Sequence, residues 1–314
     1  MSELLKLANH YKSDKGSSTG SGTHFALLYE HFFGHLKDEK IKILEIGLNN
    51  GGPEHGSARL DRVITDCPSI KMWHHYFSNG DIWGWDINNI DIELLKSMKR
   101  FKFFKGDQGD IDSYKNFESL TNSVYPGNNM FDIIIDDGSH AFYHQQLSFV
   151  HLSKMLKPGG YYVIEDTHWQ PDRTQGGSKL GGHAPFDKEQ LPSTVNTRKL
   201  FDSIFIGKDH GTLVPNYGIN EALRAPASEN MFLSCEPESK TPHFGTNSDF
   251  KSLDQFNNMR NHLDTLNQKR PEYASELFNE MKLYDRILLN DRTLGQDLRR
   301  KAFVLKIIIL KKRD

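Results

Sequence analysis

FDIIIDDGSH (Phe131–His140) and LKPGGYYVIEDTHW (Leu156–Trp169) are the stretches on which the fold turns. Each contains a short apolar run that ends in a pair of carboxylates, Asp136-Asp137 and Glu165-Asp166, with a histidine close behind, His140 and His168. Apolar runs of this kind, joined by a helix-length segment over Gln145 to Leu156, predict neighbouring parallel strands of an α/β sheet. In such sheets ligands bind beyond the carboxyl ends of the strands. If both ends share one edge, the acids converge on a small space. Two like charges about 4 Å apart repel by roughly 4 kcal/mol at an effective dielectric near 20. Such a cluster takes up protons or a cation, and a purely structural role would be costly. A bound cation is the expectation.

The same alternation runs upstream. IKILEIG (Ile41 to Gly47), IWGWDI (Ile82 to Ile87) and FKFFKG (Phe101 to Gly106) read as buried strands, with helical patterns over Phe25 to Phe33, Ile70 to Phe77 and Ile92 to Met98. Proline and glycine in LKPGG are read as the stop of the helix before the last strand. The fold class expected is α/β, a doubly wound, mostly parallel Rossmann-like sheet. Residues 1–40 form an N-terminal helical and loop segment, 41–200 the core and 201–314 a C-terminal extension. In that extension Tyr273, Leu277, Met281, Tyr284 and Leu288 suggest an amphipathic helix, and KAFVLKIIIL (Lys301 to Leu310) an edge strand. Gln175 to Gly182 suit a loop near the site.

A chain of 314 residues, 37% hydrophobic and 11% aromatic, can bury a large core. The formal charge of −2 provides no pull toward nucleic acid or an anionic membrane. Cys67 and Cys235 are too few and too distant for a disulfide framework or a zinc site. The start lacks a signal-peptide core, and the apolar run from Ala302 to Leu310 is too short to span a bilayer. A cytoplasmic protein is expected, without nucleic-acid or membrane partners, and self-association is left open.

LEIGLNNGG (Leu44 to Gly52) sets Glu45 and a glycine turn at the end of the first strand. The spacing is not that of a dinucleotide fingerprint, and no Walker-type GK[ST] is present. Asp86 closes the second strand, where a carboxylate can accept from both ribose hydroxyls. Asp107 and Gln108 follow the third, where an adenine amino group could be read. Each acid alone would more often be a cap or a solvated strand end. Three successive strand ends so furnished, without a phosphate cradle, favour S-adenosylmethionine (SAM) over NAD or ATP.

These motifs, with IKMWHHYF (Ile70 to Phe77) and SDKG (Ser13 to Gly16) followed by His24 and Tyr29, resemble the metal-dependent macrolide-sugar O-methyltransferases of the macrocin and mycinamicin type. The likeness covers roughly residues 10–170. It implies that Glu45, Gly47, Asn49 and Gly51 line the methionine side of SAM, Asp86 its ribose, and Asp107 with Gln108 its adenine. It implies Asp137, Glu165 and Asp166 as ligands of Mg²⁺ (or Mn²⁺) and His140 as general base. His168, read from the residues alone, is the rival base or a substrate contact. The insert around Pro53 to Pro68 and the continuation Thr167 to Gln170 depart from the family pattern, which leaves the acceptor open.

Carboxylate ligation suits Mg²⁺ or Mn²⁺, and such an ion stabilises a developing alkoxide. The expected function is O-methylation of a vicinal diol, a sugar or glycoside being the small-molecule partner. A carboxylate-metal hydroxylase of the cephalosporin-modifying kind and a non-catalytic SAM- or sugar-binding protein are the alternatives. Because successive strand residues face opposite ways, Asp136 and Asp137 should differ in role, one facing SAM and the other the metal. For Glu165 and Asp166 to share an ion, their strand must end before them. His262-Leu263-Asp264 matches an HxD iron motif but reads as a solvated helix face, and Trp83 and Trp85 as packing residues.

Overall fold

The computed structural model describes residues 2–17, 25–48, 63–140, 142–167, 197, 276, 279–281, 283–287 and 307–314. They fall into two compact units, one comprising residues 1–139, 155–160 and 176–183, the other 140–154, 161–175 and 184–314.

In the first unit, helix α1 (Glu3–His10) starts where the Ser2 hydroxyl accepts from Leu5 N–H at 3.0 Å and buries Leu4, Leu7 and Ala8 along one stripe. Helix α2 (Phe25–Phe33) and a single 3₁₀ turn at Gly34–Leu36 lead into β1 (Lys42–Ile46). There follow β2 (Val63–Ile64), α3 (Pro68–Tyr76), β3 (Asp81–Asp86), β4 (Asn89–Ile90), α4 (Ile92–Ser97), β5 (Phe101–Lys105), α5 (Ile111–Val124) and β6 (Phe131–Asp136). Three of these helix starts have a local cause. Pro68 opens α3, Asp91 accepts from Glu93 and Leu94 N–H at the start of α4, and Asp110 accepts from Asp112 N–H at the start of α5. The α3 end is held by Arg100, whose guanidinium donates to the carbonyls of Phe77, Gly80 and His74.

The sheet of this unit has the order β5-β3-β1-β6, and then the first half of β7 (Leu156–Ile164). β1 pairs in parallel with both β3 and β6, and β3 with β5. The chain therefore builds away from β1 on one side and returns to its other side with β6. That reversal between β1 and β6 is the switch point beside which such sheets bind ligands. β1 is buried along its whole length, as are Ile133, Ile134 and Ile135 of β6, which explains why these strands read as unbroken apolar runs. Trp83 and Trp85 are core residues, as expected. They pack on Phe117, and their indole N–H groups reach Tyr125 Oη at 3.3 Å and the Gly106 carbonyl at 2.9 Å.

In the second unit helix α6 (Phe142–Leu152) and a 3₁₀ turn at Ser153–Met155 precede β7, whose second half pairs antiparallel with β9 (Ile308–Lys312). β8 (Tyr284–Ile287) pairs with β9 on its other side. Three local expectations are corrected here. LKPGG begins β7 instead of closing α6, because Pro158 suits extended backbone and Gly159 takes φ +73°. The terminal strand is an inner one, flanked by β7 and β8. Tyr284 lies in a strand and not a helix, with its ring buried and its hydroxyl donating to Ser153 O at 3.0 Å. Pairing with β9 overrides the helical spacing. Among the described residues, no helix is long and apolar enough to cross a membrane.

Candidate metal and cofactor site

At the carboxyl end of β1 the chain leaves the strand through Gly47 at φ +82°, where glycine alone is comfortable. A Cβ there would drive into the carbonyl of Asp137. Backbone bonds lock the junction, with Gly47 N–H donating to Trp85 O at 2.8 Å and Asp137 N–H to Ile46 O at 3.0 Å. The glycine expected to let a ligand approach thus also lets the end of β6 approach β1.

Asp86 is buried and organises the loops around it. Its Oδ2 accepts from Leu48 N–H at 2.9 Å, and its Oδ1 from the backbone and side-chain amides of Asn88 at 2.8 and 2.9 Å. Asp107 is exposed, with Oδ1 accepting from Gly109 N–H at 2.7 Å. Gln108 is buried and bridges two elements. Its amide donates to Asp136 Oδ1 at 2.8 Å, and its Oε1 accepts from Ser139 N–H at 3.0 Å. A Cβ at Gly138 would meet the side-chain amide of Gln108, which would have to shift.

Asp136, the last residue of β6, and Asp137 just beyond it take different partners. Asp136 is fully buried against Gln108. Asp137 turns the other way, where its Oδ2 meets Lys15 Nζ at 2.6 Å. The same ammonium lies 3.2 Å from Glu45 Oε1. Glu45 is fully buried, and Trp73 Nε1 donates to its other oxygen at 3.2 Å. Burial pushes the Glu45 carboxyl above its ordinary value, opposed by the Lys15 charge and the Ser69 hydroxyl.

The second unit begins at His140, three residues beyond Asp137. Among the described residues, Lys12, His140 and Asp166 are the non-glycine residues with positive φ, at 59°, 60° and 50°. Such backbone costs on the order of 1–3 kcal/mol per residue and persists where its surroundings impose it, often at functional sites. His140 Nε2 lies 4.0 Å from Asp166 Oδ2, both side chains largely buried. β7 stops at Ile164, so Glu165 and Asp166 are already out of the strand, as a shared ion would need. Glu165 is buried, and Gln145 of α6 donates to its carbonyl at 3.3 Å.

The first unit thus gathers Glu45, Gly47, Asp86, Gln108, Asp136 and Asp137 at the carboxyl edge of its sheet, with Asp107 on the neighbouring loop. The second gathers His140, Glu165 and Asp166. Asn49, Gly51 and His168 lie outside the described residues, as do His24, most of the insert, the 175–182 loop and His262 with Asp264. Lys15 and Trp73 were not singled out from the sequence as partners of the acids. The SDKG motif held the signal for Lys15, but nothing local ties it to a strand end more than a hundred residues away. In each unit the acids present the carboxylate oxygens that a hard divalent cation takes, and in the second unit His140 accompanies them.

Residues 68–212 match a family model described as "Methyltransferase domain". The chain is 34% identical over 167 residues to mycinamicin VI 2''-O-methyltransferase of Micromonospora griseorubida, covering 52% of this chain and 36% of that protein. It is 32% identical over 207 residues to demethylmacrocin O-methyltransferase of Streptomyces fradiae, covering 64% and 44%. It thus spans less than half the length of these relatives. Among solved structures, the MycE methyltransferase of the mycinamycin pathway, in complex with Mg, SAH and mycinamycin VI, aligns with a TM-score of 0.44 at 26% identity, over 64% of this chain and 48% of that one. Residues 68–212 thus match a methyltransferase domain, set here on a mostly parallel α/β sheet, and the chain is similar in sequence to macrolide-sugar O-methyltransferases.

Proposed function

We propose that the protein is a SAM- and Mg²⁺-dependent O-methyltransferase that acts on a hydroxyl of a vicinal diol in a sugar carried by a small-molecule glycoside. The observation that carries this reading is the strained backbone at two of the proposed site residues. His140 and Asp166 both hold left-handed conformations, each just after a strand whose end supplies acids, in a chain related to sugar O-methyltransferases.

In this reading Asp86 takes the ribose hydroxyls, and Asp107 with Gln108 lies on the adenine side. Glu45, Gly47, Asn49 and Gly51 border the methionine portion, and Asp136 stiffens that edge through Gln108. Asp137, Glu165 and Asp166 would hold the divalent ion. When bound, that ion supplies Lewis-acid stabilisation of oxygen negative charge. His140, whose Nε2 lies 4.0 Å from Asp166 Oδ2, accepts the hydroxyl proton. The hydroxyl oxygen attacks the sulfonium methyl in line, a C–O bond forms as the C–S bond breaks, and a methyl ether and S-adenosylhomocysteine (SAH) leave. Orientation of the two reactants supplies much of the acceleration. His168 is the rival base or a contact to the acceptor.

The test is transfer of a labelled methyl group from SAM to a panel of rhamnosylated and other deoxysugar-bearing polyketides, with Mg²⁺ and with EDTA. Label should enter the acceptor and SAH should appear only with the metal. Activity needing iron and 2-oxoglutarate instead of SAM would make the hydroxylase alternative correct. SAH binding with no turnover on any acceptor would favour the non-catalytic one.

A further inference from the structure

Lys15 is only 1% exposed, and its ammonium is shared between Asp137 Oδ2 at 2.6 Å and Glu45 Oε1 at 3.2 Å. A lysine is rarely buried to this extent without a dedicated partner. Its delivery is built into the fold. Ser13 N–H donates to Ala8 O at 2.8 Å, Lys15 N–H to Ser13 Oγ at 3.3 Å, and Ala26 N–H to Lys15 O at 2.9 Å. The turn after α1 is thus tied both to that helix and to the start of α2. Gly16 completes it, since a Cβ there would press on Asn9 and on the Ser13 carbonyl. The SDKG turn therefore presents one fixed positive charge to the carboxylate at the end of β6.

We infer that Lys15 is a positioning residue whose ammonium fixes the Asp137 carboxylate and offsets its charge, and so weakens the hold of this carboxylate on a divalent ion. The inference rests on the metal-dependent reading above. A +2 ion arriving at Asp137 meets a carboxylate already paired and a fixed +1 charge beside it, and in a site shielded from water that repulsion is large. Removing the charge while leaving Asp137 intact should therefore tighten metal binding, whereas a lysine that served packing alone would leave it unchanged or weaken it.

Mn²⁺ titrations of the full chain followed by electron paramagnetic resonance test this. Lys15→Gln should bind Mn²⁺ about tenfold tighter or more than wild type, and Lys15→Arg should stay as weak as wild type. Equal or weaker Mn²⁺ binding by a folded Lys15→Gln protein overturns the inference. Absence of Mn²⁺ binding in wild type and variant alike would remove the metal reading itself, which separates the two failures. If Lys15→Gln does not fold, wild type with ¹⁵N-labelled lysine gives the same information. The shielded Lys15 ammonium signal should move on adding Mg²⁺, and a signal that stays put while Mg²⁺ binds contradicts the inference.

Discussion

The backbone carbonyl of Asp137 lies where a Cβ on Gly47 would stand, so the chain just beyond β6 fills the side-chain space of the turn after β1. This contact holds a proposed metal ligand and a proposed cofactor-side turn in one rigid junction. Gly47→Ala should cost about 2–5 kcal/mol, from the left-handed φ and from overpacking against backbone. Urea unfolding measures it, and a loss below about 0.5 kcal/mol would mean the junction yields easily.

Asp137→Asn should abolish methyl transfer while leaving SAH affinity, read by calorimetry, within about threefold of wild type, a change under 1 kcal/mol. Parallel loss of both would mean that Asp137 supports the cofactor side rather than the metal.

Gln108 joins buried Asp136 to the backbone of Ser139. Gln108→Leu strips a partner from a buried carboxylate and should destabilise the protein by about 1–3 kcal/mol. It should also slow turnover, because the loop leading to His140 loses its tie. A rise in the KM for SAM with kcat unchanged would confine Gln108 to the adenine side.

Asp81 gives a pH-dependent stability term far from the chemistry. Burial alone would raise its pKa, but hydrogen bonds from Tyr125 at 2.6 Å and Lys102 at 2.9 Å outweigh it, and the net shift is downward. A depressed carboxyl contributes stability above its unfolded pKa of about 3.9 and loses it as pH falls through the folded value. Tyr125→Phe should therefore cost about 1 kcal/mol at neutral pH, with the gap from wild type shrinking below about pH 4. Urea melts across that range check it, and a gap that is constant with pH would assign the loss to Trp83, whose indole also meets Tyr125.

The fold was legible because β1, β3 and β6 are buried on both faces, and burial of that kind writes continuous apolar runs into a sequence. The strand-end acids were legible for the same reason, since they interrupt those runs. What escaped notice depends on distant pairing. Tyr284 is spaced like a helix residue, but its strand exists only because β9 lies beside it. The ion pair of Lys15 with Asp137 joins residues 122 apart, and no local pattern encodes it. The left-handed backbone of His140 and Asp166 is likewise imposed by surroundings, because neither residue type demands it.

The most direct measurement is the anomalous difference map of a crystal grown with Mn²⁺ and SAH. One Mn²⁺ peak is expected, ligated by Asp137, Glu165 and Asp166, with His140 close by and SAH over the carboxyl ends of β1 and β3. A peak elsewhere, or SAH bound with Asp137 still paired to Lys15 and no ion on it, would contradict the account.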